Sequence, residues 1–303
     1  MNTPARLGIF GLGLAAVFGA ALGAGHLTGP VGAEEKPHTM HGGMEHQNPE
    51  SALPGGLLVS DRGYTLTTVP DATGAFAFRI LGPSGRAVTA FDTQHDKRMH
   101  LIVVRRDLSG FRHVHPTMAA DGIWRVASPL SGPGTYRAFA DFKPTGADPL
   151  TLGIDTTVAG DATPRPLPAP AEIATVDGYT VTLNGTLAAG RTSRLDLAIS
   201  RDGKPVTDLQ PYLAAYGHLV ALRQGDLAYL HVHPDGEPGD GKTKPGPTIT
   251  FYAEAPSAGT YRLYLDFQHD GAVHTAEFTV VAGATTGAGT SGDHQHHAGQ
   301  EGR

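Results

Sequence analysis

One pattern occurs twice in this chain and limits what it can fold into: histidine, twelve residues, histidine, one residue, histidine, proline. The first copy is His100-Leu-Ile-Val-Val-Arg-Arg-Asp-Leu-Ser-Gly-Phe-Arg-His113-Val-His115-Pro116. The second is His218-Leu-Val-Ala-Leu-Arg-Gln-Gly-Asp-Leu-Ala-Tyr-Leu-His231-Val-His233-Pro234. Each reads as two apolar or β-branched runs parted by a polar turn, which is the signature of a β-hairpin. In the second copy Gly225-Asp226 suits a two-residue loop, because glycine takes positive φ at little cost.

The parity of the hairpin decides where the imidazoles point. His113 and His115 are two apart and share a face of a strand. If the loop is even, directly opposed residues differ by an odd number, and His100 then joins that face. A loop centred on Asp107-Leu108 sets His100 opposite His115, and one centred on Gly225-Asp226 sets His218 opposite His233. Opposed Cβ atoms are about 5 Å apart, the scale on which three imidazoles can reach one ion. The same face continues as Ile102, Val104 and Phe111, and as Val220, Leu222 and Tyr229 in the second copy. We expect this face to line the core of each sandwich, with the histidines at its rim.

The duplication extends beyond the hairpins. Ser84-Gly-Arg-Ala-Val-Thr aligns with Asp202-Gly-Lys-Pro-Val-Thr at the offset of the histidines, 118 residues. Gly134-Thr-Tyr-Arg-Ala-Phe-Ala-Asp-Phe142 matches Gly259-Thr-Tyr-Arg-Leu-Tyr-Leu-Asp-Phe267 at 125, and the extra length falls in the Gly- and Pro-rich stretch Asp235 to Pro247. Fixed-offset similarity at separate landmarks means a repeated structural unit. The fold class is all-β: two tandem Ig-like or cupredoxin-like β-sandwiches. Expected first-module strands are Tyr64–Val69, Ala75–Leu81, His100–Arg106, Phe111–His115, Ile123–Ser128, Gly134–Phe142 and Thr151–Val158.

The chain then divides as follows. Residues 1–33 have a basic start, a long uncharged run from Leu7 to Gly25 and Val31-Gly-Ala33, as in a secretory signal or a membrane anchor with Arg6 inside. Either way the remainder is extracytoplasmic, secreted or anchored to the membrane. Residues 34–62 form a polar linker holding His38, Met40, His41, Met44 and His46. The first sandwich spans 63–158, a Pro-rich linker 159–177, the second sandwich 178–282, and 283–303 is a Gly-rich tail with His294, His296 and His297. A net charge of −6 gives no reason to expect a nucleic-acid partner.

The chain has 16 histidines and no cysteine, so any transition-metal site must use imidazole, thioether or carboxylate. Candidate ligands are His100, His113 and His115 in the first module and His218, His231 and His233 in the second. Met99 offers a soft sulfur beside His100, Met118 follows His115, and the second module has Gly217 and Gly236 in their places. Asp141 and Asp266, matched between the repeats on apolar strands, are either fourth ligands or acceptors that fix a histidine tautomer; pairing with Arg137 and Arg262 is the structural alternative. His95 is an outer candidate, with Leu213 as its counterpart. Copper is the first expectation and zinc the second, one ion per module, with affinity falling as pH drops through about 6.5, where imidazoles ordinarily take up a proton. A catalytic reading is disfavoured: His231-Val-His-Pro-Asp-Gly-Glu237 matches the start of a cupin metal motif, but Ala119 replaces the glutamate in the first copy.

These residues also carry a resemblance. Met99-His-Leu-Ile-Val-Val-Arg, His113-Val-His-Pro, Pro133-Gly-Thr-Tyr-Arg and Tyr216-Gly-His-Leu-Val-Ala-Leu resemble exported heavy-metal-binding proteins of actinobacterial type with YtkA-like β-sandwich domains. The resemblance covers roughly residues 64–281. It implies metal buffering, delivery or resistance outside the membrane, with metal ions and a membrane metal transporter as partners. The alternative is a cell-envelope interaction module whose histidines are structural.

Overall fold

The computed structural model describes residues 53–284, apart from His231 and the side chain of His233. The signal or anchor segment, the tract His38 to His46 and the three tail histidines lie outside these residues. Among the described residues every regular element is a strand.

The first module has ten strands: β1 Ser60–Asp61, β2 Tyr64–Val69, β3 Phe76–Leu81, β4 Phe91–Asp92, β5 His100–Arg105, β6 Arg112–Val114, β7 Thr117–Met118, β8 Trp124–Val126, β9 Gly134–Pro144 and β10 Leu150–Val158. The second has ten more: β11 Ile173–Val176, β12 Tyr179–Asn184, β13 Thr192–Arg201, β14 Lys204–Pro205, β15 Gly217–Arg223, β16 Tyr229–Leu230, β17 Val232–Pro234, β18 Thr248–Glu254, β19 Gly259–His269 and β20 Ala272–Ala282. One sheet of each module runs β1-β2-β3-β8-β7 or β11-β12-β13-β18-β17. The other runs β10-β9-β5-β6 or β20-β19-β15-β16. The same strand order in both modules is the structural counterpart of the sequence repeat. All paired strands are antiparallel.

The strands follow from alternation. On β13, Leu195, Leu197 and Ile199 are buried while the alternating Arg194 is exposed and Asp196 and Ser200 are half-buried, the pattern of a sheet wetted on one side. β5 differs, since five of its six residues are buried, so it is covered on both faces. Leu101 and Val103 enter the first module's core with Tyr136, Ala138 and Trp124. Ile102 and Val104 face the other way. They join Leu108, Phe111 and Phe139 in a cluster completed by Val220, Leu222, Leu227 and Tyr264 of the second module.

That cluster corrects one expectation. The face shared by Ile102, Val104, Phe111, Val220 and Leu222 does not line the interior of either sandwich; it is the surface on which the modules pack together. Tyr229, expected on the same face, packs against this cluster as well. Phe111 and Tyr264 stack with centroids 4.1 Å apart and planes 8° from parallel, and the Tyr264 hydroxyl donates to the Leu108 carbonyl at 2.6 Å. Each large apolar side chain so buried contributes roughly 1.5–3 kcal/mol, so the boundary is held like a core.

The lead-in segment strengthens the join. Tyr229 donates its backbone N–H to Gly55, Gly56 donates to Thr151, and the buried Arg137 guanidinium donates to the carbonyls of Gly56 and Leu57. Gly56 has φ +73°, and a Cβ there would lie 2.4 Å from Phe139, so only glycine fits.

Candidate metal centre

The first hairpin has the register that parity requires. Leu101 faces Val114, Ile102 faces His113 and Val103 faces Arg112, which extends to His100 facing His115. In the second hairpin Ala221 faces Leu230 and Leu222 faces Tyr229, and the described pairing ends there. The loop there is wider than two residues: Leu227 N–H donates to Arg223 O, and Arg223 N–H to Ala228 O. Leu108 and Leu227 both adopt positive φ, 66° and 63°, and bury their side chains between the modules. Asp107 and Asp226 support those turns by accepting the N–H groups of Ser109 and Ala228. In the first module the chain changes sheets after the histidines, β7 pairing with β8; in the second it changes sooner, since His233 lies on β17 and pairs with Tyr252 of β18.

The rings of His100, His113 and His115 converge. Their centroids are 5.4, 5.0 and 4.8 Å apart, and one ring nitrogen from each falls within a 4.8 Å group. On a tetrahedral zinc ion with Zn–N of about 2.0–2.1 Å, imidazole centroids would be about 5 Å apart and ligating nitrogens about 3.3 Å apart.

Hydrogen-bond partners assign the protons. The Gln94 carbonyl only accepts, so His100 Nε2–H donates to it at 3.0 Å. Asp266 lies on β19 of the second module, and its Oδ2 accepts from His113 Nδ1–H at 2.9 Å. Thr275 orients that carboxylate by donating to Oδ1 at 2.6 Å. Neutral imidazole has one donor and one acceptor, so His100 Nδ1 and His113 Nε2, 3.1 Å apart, face each other as two lone pairs. His115 Nε2 is buried with no hydrogen-bond partner. One nitrogen of each ring thus lies within 4.8 Å of the others, and either a proton or a cation must relieve the opposition of His100 Nδ1 and His113 Nε2.

Protonation is costly here. Burial, reinforced by neighbouring imidazoles, holds His100 and His115 down to about 3. His218 Nε2–H donates to the Tyr212 carbonyl at 2.8 Å, and burial holds that ring down to about 4. Burial also pushes the Asp141 carboxyl up to about 6, against the Thr151 hydroxyl that donates to it at 3.1 Å.

Other expected ligands fall elsewhere. Met99 is buried in the first module's core with Leu101 and Val103, on the side of the strand away from His100, and Met118 packs against the same core. Sulfur is therefore not part of the triad. Asp266, expected to serve its own module, instead orients a histidine of the other. Arg137 donates to Asp155 and Arg262 to Glu277, so neither pairs with Asp141 or Asp266. Glu237 is exposed on a turn. His95 is brought in: its ring is 5.5 Å from His218 and 6.2 Å from His100. The counterpart triad of the second module rests on His231 and His233, whose side chains lie outside the description.

A family profile described as "Domain of unknown function (DUF8832)" matches residues 62–160 and again 174–284. The chain belongs to the DUF8832 family. Each DUF8832 segment covers one module, so the composite centre lies where two family domains meet in a single chain. No curated protein matches the chain. Among solved structures, the S-layer protein SbsC domains 4 and 5 are similar at 12% identity over 75% of this chain and 98% of that one, TM-score 0.21. Adhesin InvE of Yersinia pseudotuberculosis is similar at 14% identity over 72% of this chain, TM-score 0.21, and the match spans 58% of its own length. Neither the family description nor these names mention a YtkA-like domain or a metal.

Proposed function

We propose that this two-module DUF8832 protein binds a transition-metal ion through His100 Nδ1, His113 Nε2 and His115 Nε2, and that it buffers or delivers that ion outside the membrane. The single observation that carries the reading is the set of three ring nitrogens that face one another while the outer nitrogens of two rings are engaged by Gln94 and Asp266. A histidine whose other nitrogen bonds a carbonyl or carboxylate is the usual form of a metal ligand. With Met99 withdrawn, the donors are borderline imidazoles, which suit Cu(II) or Zn(II) better than Cu(I). The N-terminal run Leu7 to Gly25 supports export, and a membrane metal transporter is the natural partner for a delivery role.

A second reading has its own support. The chain of contacts Gln94–His100–His113–Asp266 links the modules, and would be kept in a surface interaction module that uses the histidines as structural bridges. Metal titration of the untagged full chain separates the two. A tight class of one ion that disappears in the His113→Ala, His115→Ala variant supports binding. Equal affinity in that variant would leave the structural role.

A further inference from the structure

The cavity beside the triad contains more than the triad uses. It measures about 80 Å³ and is lined by His95, His100, His113, Asp141 and His218 with an apolar wall. His95 belongs to the first module and His218 to the second. We propose that His95 and His218 hold a second divalent transition cation across the module boundary, next to the triad, with Asp141 as the anion lining the same space. The proposal deepens the reading of the triad as a metal centre and depends on it.

Four observations carry it. The two rings are 5.5 Å apart and nearly perpendicular, close to the roughly 5 Å expected for imidazoles sharing one tetrahedral ion. His218 already commits Nε2–H to Tyr212, which leaves Nδ1 as the ligating atom, the arrangement seen at His100 with Gln94. The turn that presents His95 has positive φ at His95 and Asp96, and the second module builds the same turn with Leu213 and Ala214. Backbone geometry therefore does not call for a histidine there, and Leu213 shows that an apolar residue suffices to pack the tip. Finally, His95 is exposed whereas His100 is buried, so His95 sits on the solvent side of the cavity, where an incoming ion would be met first.

The second position is weaker than the first, because it offers two imidazoles where the triad offers three, and water must complete it. It adjoins the triad: His95 is 6.2 Å from His100, and His113 is 6.2 Å from His218, ring to ring. Ions in both positions would be near enough for magnetic coupling.

Electron paramagnetic resonance of the full chain titrated with Cu(II) tests this. The expected result is an isolated Cu(II) spectrum at low loading, followed by a half-field transition from a coupled pair as loading rises. His95→Asn should abolish the half-field signal while the low-loading spectrum stays; asparagine tolerates the left-handed turn, and Trp124 fluorescence verifies the fold. No half-field signal at any loading, or an unchanged one in His95→Asn, overturns the second position. Failure of the triad itself reads differently: the low-loading spectrum would survive His113→Ala with His115→Ala.

Discussion

His113 Nδ1 lies 2.9 Å from Asp266 Oδ2, although 153 residues and a module boundary separate them. The bond fixes the ring so that Nε2 faces His100, and it makes the second module part of the first module's centre. Asp266→Asn should therefore weaken metal binding by about 10–100-fold, as removal of such an orienting carboxylate does. Calorimetric titration with Zn(II) checks this. An unchanged affinity would mean that the carboxylate plays no part.

Docking and binding should be coupled for the same reason. Phe111→Ala removes one face of the stack with Tyr264, and should cost about 3–5 kcal/mol of stability. Because Asp266 would then be held less firmly against His113, metal affinity should fall as well. Urea unfolding followed by the lone tryptophan, Trp124, reads the first effect, and the same titration reads the second.

Acid should destabilise the protein early. Burial holds His100 and His115 to about 3 and His218 to about 4, against 6.5 for a free imidazole. Their contribution is complete above pH 6.5 and is lost as pH falls toward 3 to 4, because the unfolded chain takes up protons that the folded one refuses. Asp141 acts oppositely: its carboxyl is raised from 3.8 to about 6, so its contribution is present below 3.8 and lost as pH rises through 6. Near pH 5 the metal-free chain should take up about two protons on unfolding, three from the histidines less one from Asp141. A urea midpoint that does not change between pH 7 and pH 5 would contradict this.

Metal binding should resist acid better than exposed histidines would allow. Burial holds His100 and His115 down to about 3, so these two ligands should give up almost no protons to an incoming ion between about pH 5 and 6.5. Affinity should then fall less steeply as pH drops through about 6.5 than three free imidazoles would make it. The slope of log affinity against pH measures it, and a slope near three would refute it.

Thioether chemistry is tested by Met99→Leu. Its side chain is in the sandwich core, so copper affinity should not change, and stability should fall by less than about 1.5 kcal/mol for a swap that conserves volume. Loss of Cu(I) affinity would return sulfur to the site.

The residue order alone determined the all-β class, the repeat and the histidine register of the first hairpin, because side-chain alternation and turn parity act over a few neighbours; the two-residue strands β1, β4 and β7 are too short to leave such a pattern. His100 faces His115 for that reason. It could not say which side of β5 is interior. Leu101 and Ile102 are equally apolar, so both faces of the strand read as core, and the assignment of Ile102 and Val104 to the sandwich interior was the mistaken choice. Only the packed chain decided that this face joins two modules, that Met99 turns away from His100, and that Asp266 reaches His113 while His95 reaches His218. Those contacts arise from burying one module's apolar face on the other, a long-range event that leaves no periodic mark in the sequence.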